Sequence, residues 1–183
     1  MWERCLIGLL ALTGLVIWAY PRQYAAADDL DLRGAVIVRA VPGEPGTKAV
    51  SMLRDEIERR SGLRLSLTRS MPEGDRTAIV VTTVDTLPAG APQPPQGCQV
   101  PDKPESYALW VHPAPGGGAS VWCVGKDVRG ALFAAGRLIR VAHFGKQIFT
   151  LPKDTRIATS PKYPIRGHQL GYRNTSNSYD AWD

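Results

Sequence analysis

The chain is short of the residues that build metal centres. It has no CxxC and no HExxH, and its histidines, His112, His143 and His168, are not spaced at a helical i, i+4 interval, so no metal site is expected. Its formal charge of +5 is spread along 183 residues without a Lys/Arg stripe or interleaved aromatics, which argues against a nucleic-acid partner. No repeat at solenoid spacing occurs. The 15 Pro and 18 Gly are dispersed, which excludes a collagen-like chain and full disorder. With 44% hydrophobic residues the length suits one domain with a real core. Nothing in the sequence calls for a cofactor.

The apolar stretch from Leu6 to Tyr20 is fifteen residues without a charge, short of the ~20 that a helix needs to span a bilayer. It follows a short charged start and ends at Pro21, before Ala25, Ala26 and Ala27. This is the form of a secretory signal peptide over residues 1–27 with cleavage after Ala27. Export to a periplasmic or extracellular space is expected, with a membrane anchor as the alternative if the segment is retained. Export leaves Cys98 and Cys123 in the mature chain. An oxidising compartment permits them to pair, and two readings stay open: a Cys98–Cys123 disulfide, or two separate buried thiols.

Along the mature chain, strand and helix signals alternate. "GAVIVRAV" (34–41) reads as a buried strand. A helix is expected from about Thr47 to Arg60, with Thr47 as its cap, Ala49, Val50, Leu53 and Ile57 on its inner face, and Gly62 as its stop. Asp55 with Arg59 and Glu56 with Arg60 are expected to pair on its surface. "LRLSLT" and "TAIVVTT" read as strands. Between Thr86 and Pro104 six of nineteen residues are Pro, a density that forbids regular structure and predicts a long surface loop.

"SYALWVHP" and "ASVWCVG" flank a Gly-rich connection and read as a hairpin. Tyr107, Leu109 and Val111 fall on one face; Ala108, Trp110 and His112 fall on the other. His112 is then a strand-end surface residue. The three Gly do not make a phosphate cradle, because no helix N-terminus follows them. In "GKDVRGALFAAGRLIRVAHFG", Asp127 can cap a helix whose apolar face is Val128, Leu132, Ala135, Leu138, Ile139 and Ala142, with Gly145 as a stop. Gly130, Ala131, Ala134, Ala135 and Gly136 would let it lie close to a sheet.

The run "VGKDVRGALFAAGRLIR", followed by "QIFTLPKDTRIATSPKYPIRGHQL", resembles the join between the small N-terminal domain and the catalytic barrel of glycoside hydrolase family 20, the β-N-acetylhexosaminidases. The N-terminal domain of family 67 α-glucuronidases is similar. Pro161, Tyr163, Arg166 and Gly167 carry the resemblance, with Ala158 or Thr159 where that family has Asp.

The resemblance implies an α+β fold with a mixed, largely antiparallel sheet and two helices on one face, over residues 28–160. Residues 161–183 would be the incomplete first strand of a (β/α)8 barrel, which needs about 250 residues. It implies a non-catalytic domain of an exported glycosidase, with carbohydrate as the substrate of the full-length enzyme and the chain's own catalytic barrel as its partner. Arg166 would bind the sugar, with His168 and Tyr172 extending the site. No catalytic residue is expected here, since the acid and its partner carboxylate of such enzymes lie further along the barrel. The alternative expectation is a stand-alone exported module that binds carbohydrate or a protein.

Overall fold

The computed structural model describes residues 29–114 and 118–163. The strands are β1 (Asp29–Asp31), β2 (Val36–Arg39), β3 (Ser66–Thr68), β4 (Ala78–Thr83), β5 (Tyr107–Pro113), β6 (Ala119–Gly125), β7 (His143–Gly145), β8 (Ile148–Pro152) and β9 (Arg156–Thr159), and the helices are α1 (Gly43–Ser61) and α2 (Val128–Val141). The main sheet has the order β3-β2-β4-β6-β5-β9, and a small sheet has the order β1-β8-β7. β3, β2, β4 and β6 run parallel. β5 is antiparallel to both β6 and β9, and the small sheet is wholly antiparallel. The fold is therefore α+β with mixed sheets in which antiparallel pairings outnumber parallel ones.

Parallel strands need cover on both faces, and β4, buried along its whole length, receives it from two different sources. On one face Ile37, Ile79, Val81, Leu109, Val121 and Cys123 pack against Val50, Leu53 and Ile57 of α1 and Ala131, Ala134 and Leu138 of α2. On the other, Val38, Val80, Trp110, Trp122 and Val124 pack with Cys98, Ala91 and Val100. The last three belong to the Pro-rich stretch, so this loop is part of the second core. Trp110 and Trp122 stack there with centroids 6.0 Å apart, directly opposite one another on β5 and β6. The alternation expected for the hairpin holds, and His112 is half-buried near the strand end.

The cysteine alternatives resolve to two free, buried thiols. Cys123 points into the helix-side core and Cys98 into the loop-side core, so the sheet itself separates them and no disulfide forms. The Cys98 thiol lies 3.5 Å from the carbonyl of Ile157. Burial raises its pKa, and burial pushes the Cys123 thiol up to about 12.

Three local expectations need correction. α1 begins at Gly43, with Pro42 as its N-cap; Thr47 lies inside the first turns, where its hydroxyl donates to the Gly43 carbonyl at 3.1 Å. Gly62 does end the helix, in the left-handed region at φ 74°. Glu56 pairs with Arg60 at 2.5 Å but also with Arg59 at 2.7 Å, leaving Asp55 beside Arg54. Two guanidinium groups on one carboxylate hold Glu56 below the ordinary carboxylate range. Finally, α2 ends at Val141, Ala142 turns into extended backbone, and Gly145 sits in β7 rather than acting as a stop.

α2 is held where it enters the sheet. Asp127 accepts from the Gly130 amide at 2.8 Å, capping the helix, and from the Glu105 amide at 2.8 Å. A Cβ on Gly130 would lie 2.2 Å from the Ser106 carbonyl oxygen, and one on Gly125 would lie 2.0 Å from the Ala131 nitrogen. Both contacts are backbone, so neither can yield without moving the helix. Gly136, in contrast, has open space around it.

Gly130→Ala is accordingly expected to destabilise the domain by about 3 kcal/mol, at the upper end for overpacking. Gly136→Ala should stabilise it by about 0.5–1 kcal/mol, the helix-interior difference between these residues. Urea denaturation of the two variants checks both signs. A thiol titration checks the cysteines: Cys98 and Cys123 should be unreactive in the folded protein at pH 8, since the thiolate is the nucleophile. Both should titrate after unfolding without reductant; absence of titratable thiol at that point would reinstate the disulfide.

Candidate functional site

Arg166, His168 and Tyr172, the site residues expected from the sequence, lie outside the described residues, as do Arg173, Asn177, Asp180 and Asp183. Residues 115–117 of the Gly-rich connection are also outside. The structure does describe the approach to them. β9 pairs with β5 at the edge of the main sheet, from Tyr107 opposite Thr159 to Trp110 opposite Arg156. The chain then leaves the sheet through Ser160 and Pro161 toward Tyr163, which is 70% exposed.

At this exit the outer surface of the helix layer carries a furrow. One groove of about 510 Å³ is lined by Glu105, Tyr107, Leu132, Arg137, Ser160 and Pro161. A second, of about 440 Å³, lies between the helices over Leu53, Ala135 and Ile139. Met52, Leu132, Gly136 and Arg140 line both, so the two adjoin. A third hollow of about 300 Å³ between Lys103, Pro104, Lys162 and Tyr163 shares Glu105 and Pro161 with the first. The furrow thus runs from between the helices to the point where the chain departs.

Each boundary of the furrow has a local cause. Its floor is open because Gly136 contributes no side chain, while Leu132 and Ile139, expected to be core residues of α2, are only half-buried. Its rim on the sheet side is the turn before β5, where Glu105 takes φ 63° and its amide is fixed by Asp127. The Glu105 carboxylate is engaged by Arg129 at 2.7 Å. Met52, on the side of α1 away from the core, is 51% exposed.

Two arginines give the furrow positive character. Arg140 is exposed, whereas the Nε of Arg137 is buried and has no hydrogen-bond partner among the described residues. The Nε of Arg54 on α1 is buried in the same way without a hydrogen-bond partner among the described residues. Sequence reasoning gave these residues no role. Their only signal was an apolar Met52 off the core stripe of α1 and an α2 whose apolar positions are too many for a single sheet-facing stripe.

The carboxylates lining the furrow, Asp55, Glu56 and Glu105, each lie beside an arginine. No group of three or more His, Cys, Asp or Glu gathers among the described residues. One arrangement outside the furrow combines a carboxylate, an imidazole and a hydroxyl: Asp29, with its side chain 3% exposed, receives Thr150 Oγ1 at 2.8 Å and faces His143 Nδ1 at 2.8 Å. A catalytic triad needs the hydroxyl on the imidazole and the imidazole on the carboxylate. Here both partners meet the same carboxylate oxygen, so the trio ties the small sheet together and activates nothing.

No protein-family model matches the sequence, and no curated protein matches it. Among solved structures, the fold is similar to part of a family GH115 4-O-methyl-α-glucuronidase with specificity for decorated arabinogalactans, at 18% identity and a TM-score of 0.47 over 73% of this chain. It is also similar to part of the Flavobacterium johnsoniae chitobiase of family GH20, at 16% identity and 0.46 over 76% of this chain. The GH20 β-N-acetylhexosaminidase from Streptomyces coelicolor A3(2) gives 15% identity and 0.45 over 74%. The match takes in 18%, 19% and 24% of those three chains, so this chain spans about a fifth of their length.

The furrow can be probed without knowledge of what fills it. Removing the Asp127 carboxylate in Asp127→Ala releases both the α2 cap and the Glu105 turn. The expected loss is about 2 kcal/mol, a cap plus a second charge-assisted hydrogen bond. Thermal unfolding measures it, and a change within about 0.5 kcal/mol, the range of an ordinary surface substitution, would show that the carboxylate does not hold this corner.

Proposed function

We propose that residues 28–160 are the non-catalytic N-terminal domain of an exported glycoside hydrolase, and that residues 161–183 begin its catalytic barrel. The observation that carries this reading is the placement of the "RIATSPKYPIRG" segment. Its first residues form β9, and Pro161 and Tyr163 stand at the exit of the sheet. This placement at the sheet edge supports reading the segment, which resembles the family 20 join, as a boundary near residue 160. The ion-paired state of the carboxylates around the furrow agrees with a domain that does no acid-base chemistry of its own.

In the full-length enzyme Arg166 would hold the sugar by paired hydrogen bonds from its planar guanidinium, with His168 and Tyr172 beside it. Export accords with the layout, because β1 opens at Asp29 and cleavage after Ala27 would leave every described strand intact. Retention of residues 1–27 would instead anchor the domain at a membrane.

Three measurements test the proposal. The 183-residue chain should turn over no aryl glycoside above a blank. The reading frame followed past the codon for Asp183 should continue into a barrel carrying an Asp-Glu or paired-Glu signature; a stop codon there would favour a stand-alone carbohydrate- or protein-binding module. In the full-length enzyme, Arg166→Ala should lower kcat/KM by about 10–100-fold, the equivalent of losing hydrogen bonds to a charged group. An unchanged kcat/KM would remove Arg166 from the site.

A further inference from the structure

We infer that the first groove of the furrow, where Arg137 and Arg140 lie, is a binding site for a carboxylate-bearing sugar, a uronic acid residue of an extended chain. The distribution of ion pairs singles out this place. Every other arginine of the two helices has a carboxylate at hand: Arg59 and Arg60 share Glu56, Arg129 holds Glu105, and Arg54, whose Nε is also unbonded, has Asp55 3.7 Å away. Arg137 and Arg140 have none among the described residues. They stand three residues apart on α2, so they fall on one face. Both line a groove of about 510 Å³, within the ~300–1,000 Å³ of small-ligand sites. Gly136, with open space where a Cβ would sit, leaves the floor beside them free.

A guanidinium meets a carboxylate through two parallel N–H donors, a fit that a neutral sugar hydroxyl does not offer. Turning Arg137 about its own side-chain torsions toward the open floor would bring its Nε to such a group and replace an orphaned donor with a charge-assisted hydrogen bond. Arg140, exposed on the same groove, adds a second positive charge. The rest of the lining suits a sugar ring. Tyr107 and Leu132 are half-buried apolar walls, and Thr159 and Ser160 bring hydroxyl-bearing side chains from the end of β9; ligand sites combine apolar and aromatic walls with a few polar groups in this way. The groove adjoins the one between the helices, which gives neighbouring residues of an extended chain a place to lie. The choice of a sugar rests on the glycoside hydrolase reading, whereas the preference for a carboxylate rests on the two arginines.

Titration of the 183-residue protein with oligosaccharides of galacturonic and of glucuronic acid, followed by calorimetry and by the arginine Nε–H signals in proton–nitrogen NMR, tests the site. At least one of the two should bind with a Kd of about 1 mM or tighter, and its carboxyl-reduced counterpart should bind at least ~10-fold more weakly through loss of charge-assisted hydrogen bonds. Arg137→Ala and Arg140→Ala should each weaken binding of the acid ~10-fold. Arg137→Lys, which keeps the charge but not the fork, should recover only part of that loss. Far-UV circular dichroism confirms that each variant is folded. Absence of saturable binding, equal affinity for the acidic and reduced sugars, or an affinity that neither Ala variant changes would overturn the assignment. Tighter binding of a polyglutamate peptide of equal charge would also overturn it, making the groove a place for an acidic protein segment. The reading frame past Asp183 decides the glycosidase reading independently, so a failure of one is told apart from a failure of the other.

Discussion

The structure depends on how α2 meets the sheet. At the end of β6 the helix backbone approaches the strand backbone so closely that Gly125 and Gly130 leave no room for a Cβ, and Asp127 ties the helix start to the turn before β5. That junction fixes the depth of α2, and with it the alignment of Ala131, Ala134 and Leu138 over the central strands. α1 then packs beside α2 on the same face. The furrow is what remains on the outer side of this pair, and its sheet-side rim is the same Glu105 turn.

The two faces of the sheet are covered by different means for one reason. The parallel strands β2, β4 and β6 present apolar side chains in both directions, and an uncovered face would leave Val80, Trp110 and Trp122 in water. The chain has only two helices among its described residues, and both lie on one side. The Pro-rich stretch therefore closes the other. Its prolines suit that task, because they fix the backbone without demanding partners for amides they lack, and Cys98, Ala91 and Val100 reach inward between them. The same arrangement keeps Cys98 and Cys123 apart.

A division of labour follows from the distribution of charge. Glu56 and Glu105 near the furrow are matched to arginines at 2.5–2.7 Å, and the carboxylate of Asp29 binds the strands of the small sheet together. Charged groups arranged this way stabilise and position their elements. Arg54 and Arg137 each keep a buried Nε without a hydrogen-bond partner among the described residues.

Much of the fold was legible in the sequence because period and punctuation are local. The strands in "GAVIVRAV", "TAIVVTT", "SYALWVHP" and "ASVWCVG", the Gly62 stop of α1, and the Asp127 cap of α2 each rest on a few adjacent residues. What the sequence could not decide were matters of approach between distant segments: which sheet face each cysteine enters, that a Pro-rich loop becomes core, that Leu132 borders a furrow instead of filling the interior, and that Arg59 joins Arg60 on Glu56. Apolar periodicity states that a residue faces something apolar and is silent on whether that is the sheet or an outer groove between the helices. Only the tertiary structure, by fixing the depth and tilt of α2 against the strands, divided its apolar residues between the two.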